Sequence, residues 1–496
     1  MASRDPDRPN IVFILTDDQG AWALGCAGNT EIRTPNLDAL AARGTRLENY
    51  FCTCPVSSPA RATILTGRIP SQHGVHDFIR IRQGRNPLLG HGDGKAIEYL
   101  DGQTAYTDIL AENGYTCGLS GKWHVGDECR PQKSFSFWRV NALGNGPYRR
   151  TPMVHEDGRE PEWDTDYFTK VVTDNAITFM DAQTANDSPF YLSCHYTAPH
   201  SPWGRDQHPE ETFDRYCEHC AFDTIPDVPL NPTQMQRPWL NPDGSNRREL
   251  LSGYFAAIEE MDKEVGRVLD WLDEHGLREN TLVFYTSDNG MNMGHHGIFG
   301  KGNGTYPLNM YDTSVKVPCI VSWPSIVPEG QTRRELLSHY DVFPTLLDMA
   351  GVPGPEDASL PPSPGRSFAP LLRGESMPET DCVVVHHEYG LVRMIRSHDW
   401  KYVHRHPWGP NELYDLTADP GEITNLAEVT EHAERIMALK GKLDAWFAAY
   451  ADPNRDGLHE PVAGTGQINV VGPNAEGATR FMPRPAVIED LTSASG

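Results

Sequence analysis

No run of apolar residues in this 496-residue chain approaches the roughly 18 that a membrane-spanning helix requires. The amino-terminal M-A-S-R-D-P-D-R-P-N has no apolar core of the kind a secretory signal carries, so a cytoplasmic address is expected, and no membrane partner. Basic runs are missing too. Lys and Arg number 43 against 68 Asp and Glu, a formal charge of −25, which argues against a nucleic-acid partner. Cysteine is sparse and scattered: of the ten, Cys217 and Cys220 form a close pair, in C-E-H-C, with no second pair at zinc-finger spacing. Reduced thiols rather than a disulfide frame or a structural zinc are expected. No internal repeat is evident, which excludes a solenoid.

What the chain does contain is two matched strand-like runs that end in carboxylates. Residues 10–20 read N-I-V-F-I-L-T-D-D-Q-G and residues 281–290 read T-L-V-F-Y-T-S-D-N-G. Each is too short for a helix, rich in β-branched residues and continuously apolar, as a strand buried on both faces of a parallel sheet must be. Asp17, Asp18, Asp288 and Asn289 then fall at carboxyl ends of strands, where open α/β sheets bind ligands. Their all-oxygen donor set suits Ca²⁺ or Mg²⁺, whereas zinc favours His and Cys.

Helical patterns alternate with these runs. T-P-N-L-D-A-L-A-A-R-G predicts a helix with Thr34 as cap and Pro35 in its first turn, ending at Gly44. From Tyr254 an apolar set at helical spacing continues to His275-Gly276, just ahead of the Asp288 strand. Helix followed by parallel strand is the grammar of a doubly wound sheet. Residues 200–247, rich in Pro, His and Asp, read as an insertion over a pocket, and Gly351–Pro370 as a surface connector. Beyond it C-V-V-V-H-H, V-R-M-I-R-S and W-K-Y-V-H-R predict a small antiparallel sheet, followed by a helix near Glu428–Ala449 and a tail that covers the pocket or a neighbour. The expected division is 1–370 and 371–496. E-L-Y-D-L-x-x-D-P-G-E-x-x-N-L, residues 412–426, reads as a structural corner.

Residues 57–68, S-S-P-A-R-A-T-I-L-T-G-R, read by themselves as a turn into a helix, with Ser58 capping and Pro59 in the first turn. They also resemble the signature of type I sulfatases, in which C/S-x-P-x-R marks a residue oxidised to Cα-formylglycine and T-G-R follows. Other elements resemble that family in its order, over residues 10 to about 426: the two carboxylate-ended strands, G-K-W-H-V-G at 121–126, T-A-P-H-S-P-W at 197–203 and G-K-G at 300–302.

The resemblance implies an alkaline phosphatase-like α/β fold, with a large, mostly parallel mixed sheet sandwiched by helices and a smaller α+β subdomain built on an antiparallel sheet. It implies a sulfuric ester hydrolase acting on a small sulfated substrate, a saccharide at first choice. Ser57 would be matured to formylglycine by a serine-type radical maturase of the cytosol, with Pro59, Arg61, Thr66, Gly67 and Arg68 as its motif companions. Cys52 and Cys54 stand in the wrong frame for that role. Asp17, Asp18, Asp288 and Asn289, with an oxygen of modified Ser57, would hold Ca²⁺ or Mg²⁺. Arg61, Lys122 and Lys301 would neutralise charge on the sulfate oxygens, because attack at sulfur loads them with more. His200, or Lys301 beside it, would protonate the leaving oxygen, and His124 would act as base when sulfate is expelled. Trp203, His295, His296, His386, His387 and Arg393 are candidate substrate contacts. Two other readings are a phosphonate monoester or phosphodiester hydrolase of the same superfamily and a sulfoglycan-binding protein without catalysis.

Overall fold

Every residue of Asn10–Thr16 is buried, and because side chains alternate across a strand two cores grow from it. Ile11, Phe13 and Leu15 enter one, Val12 and Ile14 the other. The computed structural model describes residues 8–80, 97–158, 162–186, 188–355, 362–462, 464–475 and 479–482. In it Asn10–Thr16 is central to a ten-stranded sheet. The order is Gln331–Arg333, Thr45–Leu47, Cys319–Ser322, Thr281–Ser287, Asn10–Thr16, Phe190–His195, Thr116–Gly121, Phe137–Asn141, Thr151–His155 and Glu162–Asp164. Pairing is parallel from Thr281–Ser287 across to Phe137–Asn141. Antiparallel pairs take over on both sides, except that the outermost Gln331–Arg333 runs parallel to Thr45–Leu47.

Helices cover both faces, as a mostly parallel sheet requires. Ser57–Thr66, Tyr106–Glu112 and Val342–Met349 pack on the Phe13 face; Pro35–Ala42, Phe168–Gln183 and Arg247–Glu274 pack on the Val12 face. The last of these is the helix expected from Tyr254, begun seven residues earlier. Thr34 precedes Pro35 as expected, but its hydroxyl donates to Asp38 at 3.1 Å and accepts from the Gly25 amide at 2.9 Å instead of capping the helix backbone. The segment 200–247 contains a helix, Glu210–His219, that its charged E-E-T-F-D-R-Y-C-E-H sequence conceals; it buries only Thr212, Phe213 and Tyr216.

The small sheet forms from Val383–His387, Val392–Arg396, Trp400–Arg405 and Glu412–Asp415, all antiparallel and in sequence order. One face carries Val384, Ile395, Tyr402 and Leu413 against the helix Ala433–Tyr450. The other carries Val383, Val385, Met394 and Val403 into the core of the large unit. Where the units meet, Lys401 is fully buried between Asp312, 2.6 Å away, and Glu422 of the 412–426 motif. That motif is the structural corner its turn residues foretold. None of the ten cysteines is in a disulfide.

Candidate active site

Parallel pairing decides the geometry of the site. Thr16 lies level with Ser287, so the residues leaving the two strands meet: the Asp288 amide donates to Thr16 O at 3.1 Å and the Asp18 amide to Asp288 Oδ1 at 3.2 Å. Asp18 has φ +64°, a left-handed conformation that Asp tolerates better than most residues, and it turns the chain back over the sheet edge. Asn289 donates from Nδ2 to Asp18 Oδ1 at 2.8 Å, leaving its amide oxygen in the cluster. All four residues are at most 5 % exposed.

The cations arrive from neighbouring loops. Lys122 leaves the Thr116–Gly121 strand and places Nζ 2.5 Å from Asp17 Oδ2 and 2.6 Å from Asn145 Oδ1. The turn that aims it depends on Gly121, at φ +112°, where a Cβ would lie 1.9 Å from the His195 carbonyl oxygen. Gly121→Ala is therefore expected to lower stability by more than ~2 kcal/mol, read as a fall in the denaturation midpoint; an unmoved midpoint would show that the turn relaxes freely. Arg61, on the first turns of the Ser57–Thr66 helix, donates from Nε to Asp288 Oδ2 at 2.9 Å and from Nη1 to Lys122 O at 3.1 Å, while Nη2 is buried with no partner among the described residues. Lys301 donates to Asp18 Oδ1, and to Ser57 Oγ and Asn289 Oδ1, both at 3.2 Å.

Ser57 opens its helix, and its hydroxyl donates to Asp17 Oδ1 at 3.0 Å. The expectation that Ser58 caps this helix does not hold: Val56 occupies the cap, and Ser58 Oγ instead accepts the Ile79 amide at 3.0 Å. Thr66, Gly67 and Arg68 end the same helix, roughly 15 Å from Ser57 along its axis. There Gly67, at φ +66°, closes the last turn on Thr63 O. These three lie outside the cleft described below.

Electrostatics follow from this crowding. Burial pushes Asp17 up, but Lys122 foremost, then His200, Arg61 and Lys301, hold it well below the usual carboxylate range. Burial pulls Lys301 down, and the carboxylates of Asp18, Asp17 and Asp288 more than reverse this, so it is firmly protonated. His124 is driven well below its ordinary value by burial and by Lys122. Its Nε2 faces the Ile79 carbonyl at 3.0 Å, and a carbonyl only accepts. The ring is therefore the Nε2–H tautomer, with Nδ1 buried and free of partners among the described residues. His200 Nδ1 likewise donates to Ser201 O at 2.7 Å, directing Nε2 towards Asp18 Oδ2, 3.6 Å away.

Above Ser57 is a cleft of about 210 Å³, lined by Asp18, Ser57, His124, His200, Lys301 and Trp203 among others. Among the walls that sequence reasoning missed are Phe78, Asn145, Arg237, Trp239 and Asn303. Trp239 meets Trp203 edge-on, ring centroids 4.7 Å apart, and Arg237 Nη2 donates to Asn303 O at 2.6 Å. R-P-W, residues 237–239, was the available signal, a cation beside an indole in a stretch with no helical or strand period.

Five candidate substrate contacts are placed elsewhere. His386 and His387 end a strand covered on both faces: His386 meets Phe447 edge-on at 5.1 Å and His387 meets Tyr389 at 3.8 Å. Arg393 lies over the Phe447 ring, 3.5 Å from its centroid, and pairs with Asp456 at 2.8 Å. His295 packs beside Trp22 at 4.6 Å and His296 stacks on Tyr311 at 3.6 Å. Each packs against an aromatic ring, and none lines the cleft among the described residues. Of the six candidates, Trp203 alone does.

The donor set fits a divalent cation. Ligand atoms of Asp17, Asp18 and His200 lie within 4.8 Å of one another, and Asp288 and Asn289 join them through hydrogen bonds with Asp18, a set rich in oxygen and without sulfur. A sheet edge that gathers such a set beside a hydroxyl and three fixed cations defines a metal-assisted hydrolase of anionic esters, of the alkaline phosphatase-like class. Residues 9–352 match the sulfatase family model, and residues 294–448 the model "N-sulphoglucosamine sulphohydrolase, C-terminal". The chain belongs to the sulfatase family, and it is a sulfuric ester hydrolase. An N-acetylglucosamine-6-O-sulfatase of Bacteroides thetaiotaomicron is 28 % identical, the alignment covering 90 % of this chain and 88 % of the relative. An N-acetylgalactosamine-6-sulfatase of Canis lupus familiaris is 30 % identical over 87 % of this chain and 78 % of the relative. A solved protein in complex with its substrate D-glucosamine-2-N,6-O-disulfate superposes with a TM-score of 0.71 at 25 % identity, over 90 % of this chain and 99 % of that one.

Proposed function

We propose that this sulfatase removes a sulfate monoester from a sulfated saccharide, using Ser57 matured to formylglycine and a Ca²⁺ or Mg²⁺ ion. The observation that carries this reading is the position of Ser57 Oγ, hydrogen-bonded to Asp17 Oδ1 and Lys301 at the floor of a cleft walled by Trp203 and Trp239. Indole faces suit the C–H faces of a sugar ring, and relatives named for N-acetylglucosamine and N-acetylgalactosamine sulfates, with a neighbour holding a glucosamine disulfate, support that substrate class.

Asp17, Asp18, Asp288 and Asn289, with the oxygen at Ser57, would hold the ion. When bound, the ion polarises that oxygen and offsets negative charge on the ester. Charge bookkeeping favours it: Asp17, Asp18 and Asp288 are already matched by Arg61, Lys122 and Lys301, so a divalent ion leaves the pocket positive for an anionic ester in a chain of net charge −25. Lys122 and Lys301 bind the sulfate oxygens. With its Nδ1–H held by Ser201 O, His200 in its imidazolium form gives the Nε2 proton to the departing sugar oxygen and is left as the Nδ1–H tautomer. His124, neutral and open at Nδ1, would take the proton from the remaining hydroxyl of the matured residue 57, so that its carbon–oxygen double bond re-forms as the bond to the sulfate oxygen breaks.

Assaying the matured protein on a panel of sulfated mono- and disaccharides, beside matched aryl sulfate and aryl phosphodiester, tests the reading. Preference for the phosphodiester would overturn it. Chelation is expected to abolish turnover, with Ca²⁺ or Mg²⁺ restoring it and elemental analysis finding one such ion per chain; stoichiometric zinc would contradict the ligand assignment.

A further inference from the structure

Both family models stop short of the tail: the matches end at residues 352 and 448. Yet the tail is built into the active site. After the helix Ala433–Tyr450 the chain returns to the large unit, the Asp452 amide donating to Ser71 O at 3.0 Å, and runs along residues 71–80. Gln467 is completely buried there. Its Oε1 accepts the amides of His76, at 2.8 Å, and Asp77, at 3.4 Å, and its Nε2 donates to the carbonyls of Gly74, at 2.9 Å, and Asn469, at 3.0 Å. Only this orientation of the amide satisfies two donors and two acceptors together. The Gln467 backbone adds a parallel bridge to Ile79: its amide donates to Phe78 O and its carbonyl accepts from Arg80, both at 2.9 Å. The preceding Gly466 amide donates to Asp77 Oδ2 at 3.0 Å.

The segment so held reaches the reacting groups directly. Phe78 lines the cleft beside Ser57. Ile79 gives its amide to Ser58 Oγ, at 3.0 Å, on the helix that begins with Ser57, and its carbonyl faces His124 Nε2 at 3.0 Å. That carbonyl selects the His124 tautomer with Nδ1 open. We infer that Gln467 is a positioning residue for catalysis: from the carboxyl-terminal tail it fixes the carbonyl of Ile79, and through it the tautomer and aim of His124. The inference rests on the role proposed for His124. An amide that bonds four backbone groups of two separate segments is a clamp that no apolar side chain of equal size replaces, because its loss leaves buried peptide groups unpaired.

The test uses the full-length matured protein and three variants: Gln467→Met, matched in volume but unable to make the four bonds; Arg480→Gln, which breaks a tail ion pair to Glu460 without touching residues 74–80; and His124→Ala. Hydrogen–deuterium exchange reads residues 74–80, and steady-state kinetics on nitrophenyl sulfate reads catalysis. Gln467→Met is expected to raise exchange in residues 74–80 and lower kcat by about 10- to 100-fold, with a smaller change in KM, while Arg480→Gln behaves as wild type in both. Wild-type kcat in Gln467→Met, with or without faster exchange, would overturn the positioning role. Equal damage from Arg480→Gln would assign the effect to tail docking in general and not to Gln467. If His124→Ala turns over normally, the role of His124 fails first, and the exchange result still reports whether Gln467 holds the segment.

Discussion

Ser57→Ala is expected to abolish turnover of sulfate esters, by at least about 10⁴-fold, since loss of a covalent nucleophile removes the pathway and not merely a contact. The fold should survive it. Ser57 is buried, and among the described residues its hydroxyl meets only Asp17 and Lys301, so alanine removes two hydrogen bonds without a clash. Unchanged thermal unfolding beside lost turnover is the predicted signature. Peptide mass spectrometry supplies the second half: wild type co-expressed with a serine-type maturase carries formylglycine at position 57, and Ser57→Ala carries no modification. Turnover by wild-type protein whose Ser57 is entirely unmodified would refute the assignment of the nucleophile.

His200→Ala is expected to be selective among substrates. If Nε2 delivers the proton to the leaving oxygen, its removal slows esters of poor leaving groups, such as sugar alkoxides, by about 10²- to 10⁴-fold, and hardly affects a nitrophenyl ester, whose leaving group needs little protonation. Lys122→Ala should slow both substrates comparably, because Lys122 is buried against Asp17 beneath the cleft, and its proposed role is to offset charge on the sulfate rather than to meet the leaving group. A plot of rate against leaving-group acidity separates the two variants by slope. Equal damage from His200→Ala on both esters would pass the acid role to Lys301, which lies against Ser57 Oγ at 3.2 Å.

Much of the site was legible in advance because its groups follow directly from strand ends. A continuous apolar run must be a strand buried on both faces, and carboxylates that close two such runs reach one sheet edge if the runs are parallel neighbours. Asp17, Asp18, Asp288 and Asn289 obey that logic, and so does Lys122 after its own strand. The small sheet was legible for the same reason. Its histidines do not line the cleft among the described residues: His386 and His387 lie in a strand whose two faces are both covered, by the large core and by the helix Ala433–Tyr450. A sequence shows that a strand alternates but not that both of its sides are occupied.

By itself the sequence determined the strand ends and the order of the charged motifs along the chain, since short-range chemistry and spacing carry both, and the resemblance of those motifs to a known signature pointed to the family. Only the tertiary structure decided which residues wall the cleft and what holds them. Asn145, Arg237 and Trp239 enter the cleft from segments without period, and Gln467 reaches residues 74–80 across nearly four hundred positions of chain. Contacts of that kind leave no local pattern, because neither partner's neighbours need be apolar or periodic for the pair to meet. They are fixed only when the sheet, the helices on it and the returning tail are packed together.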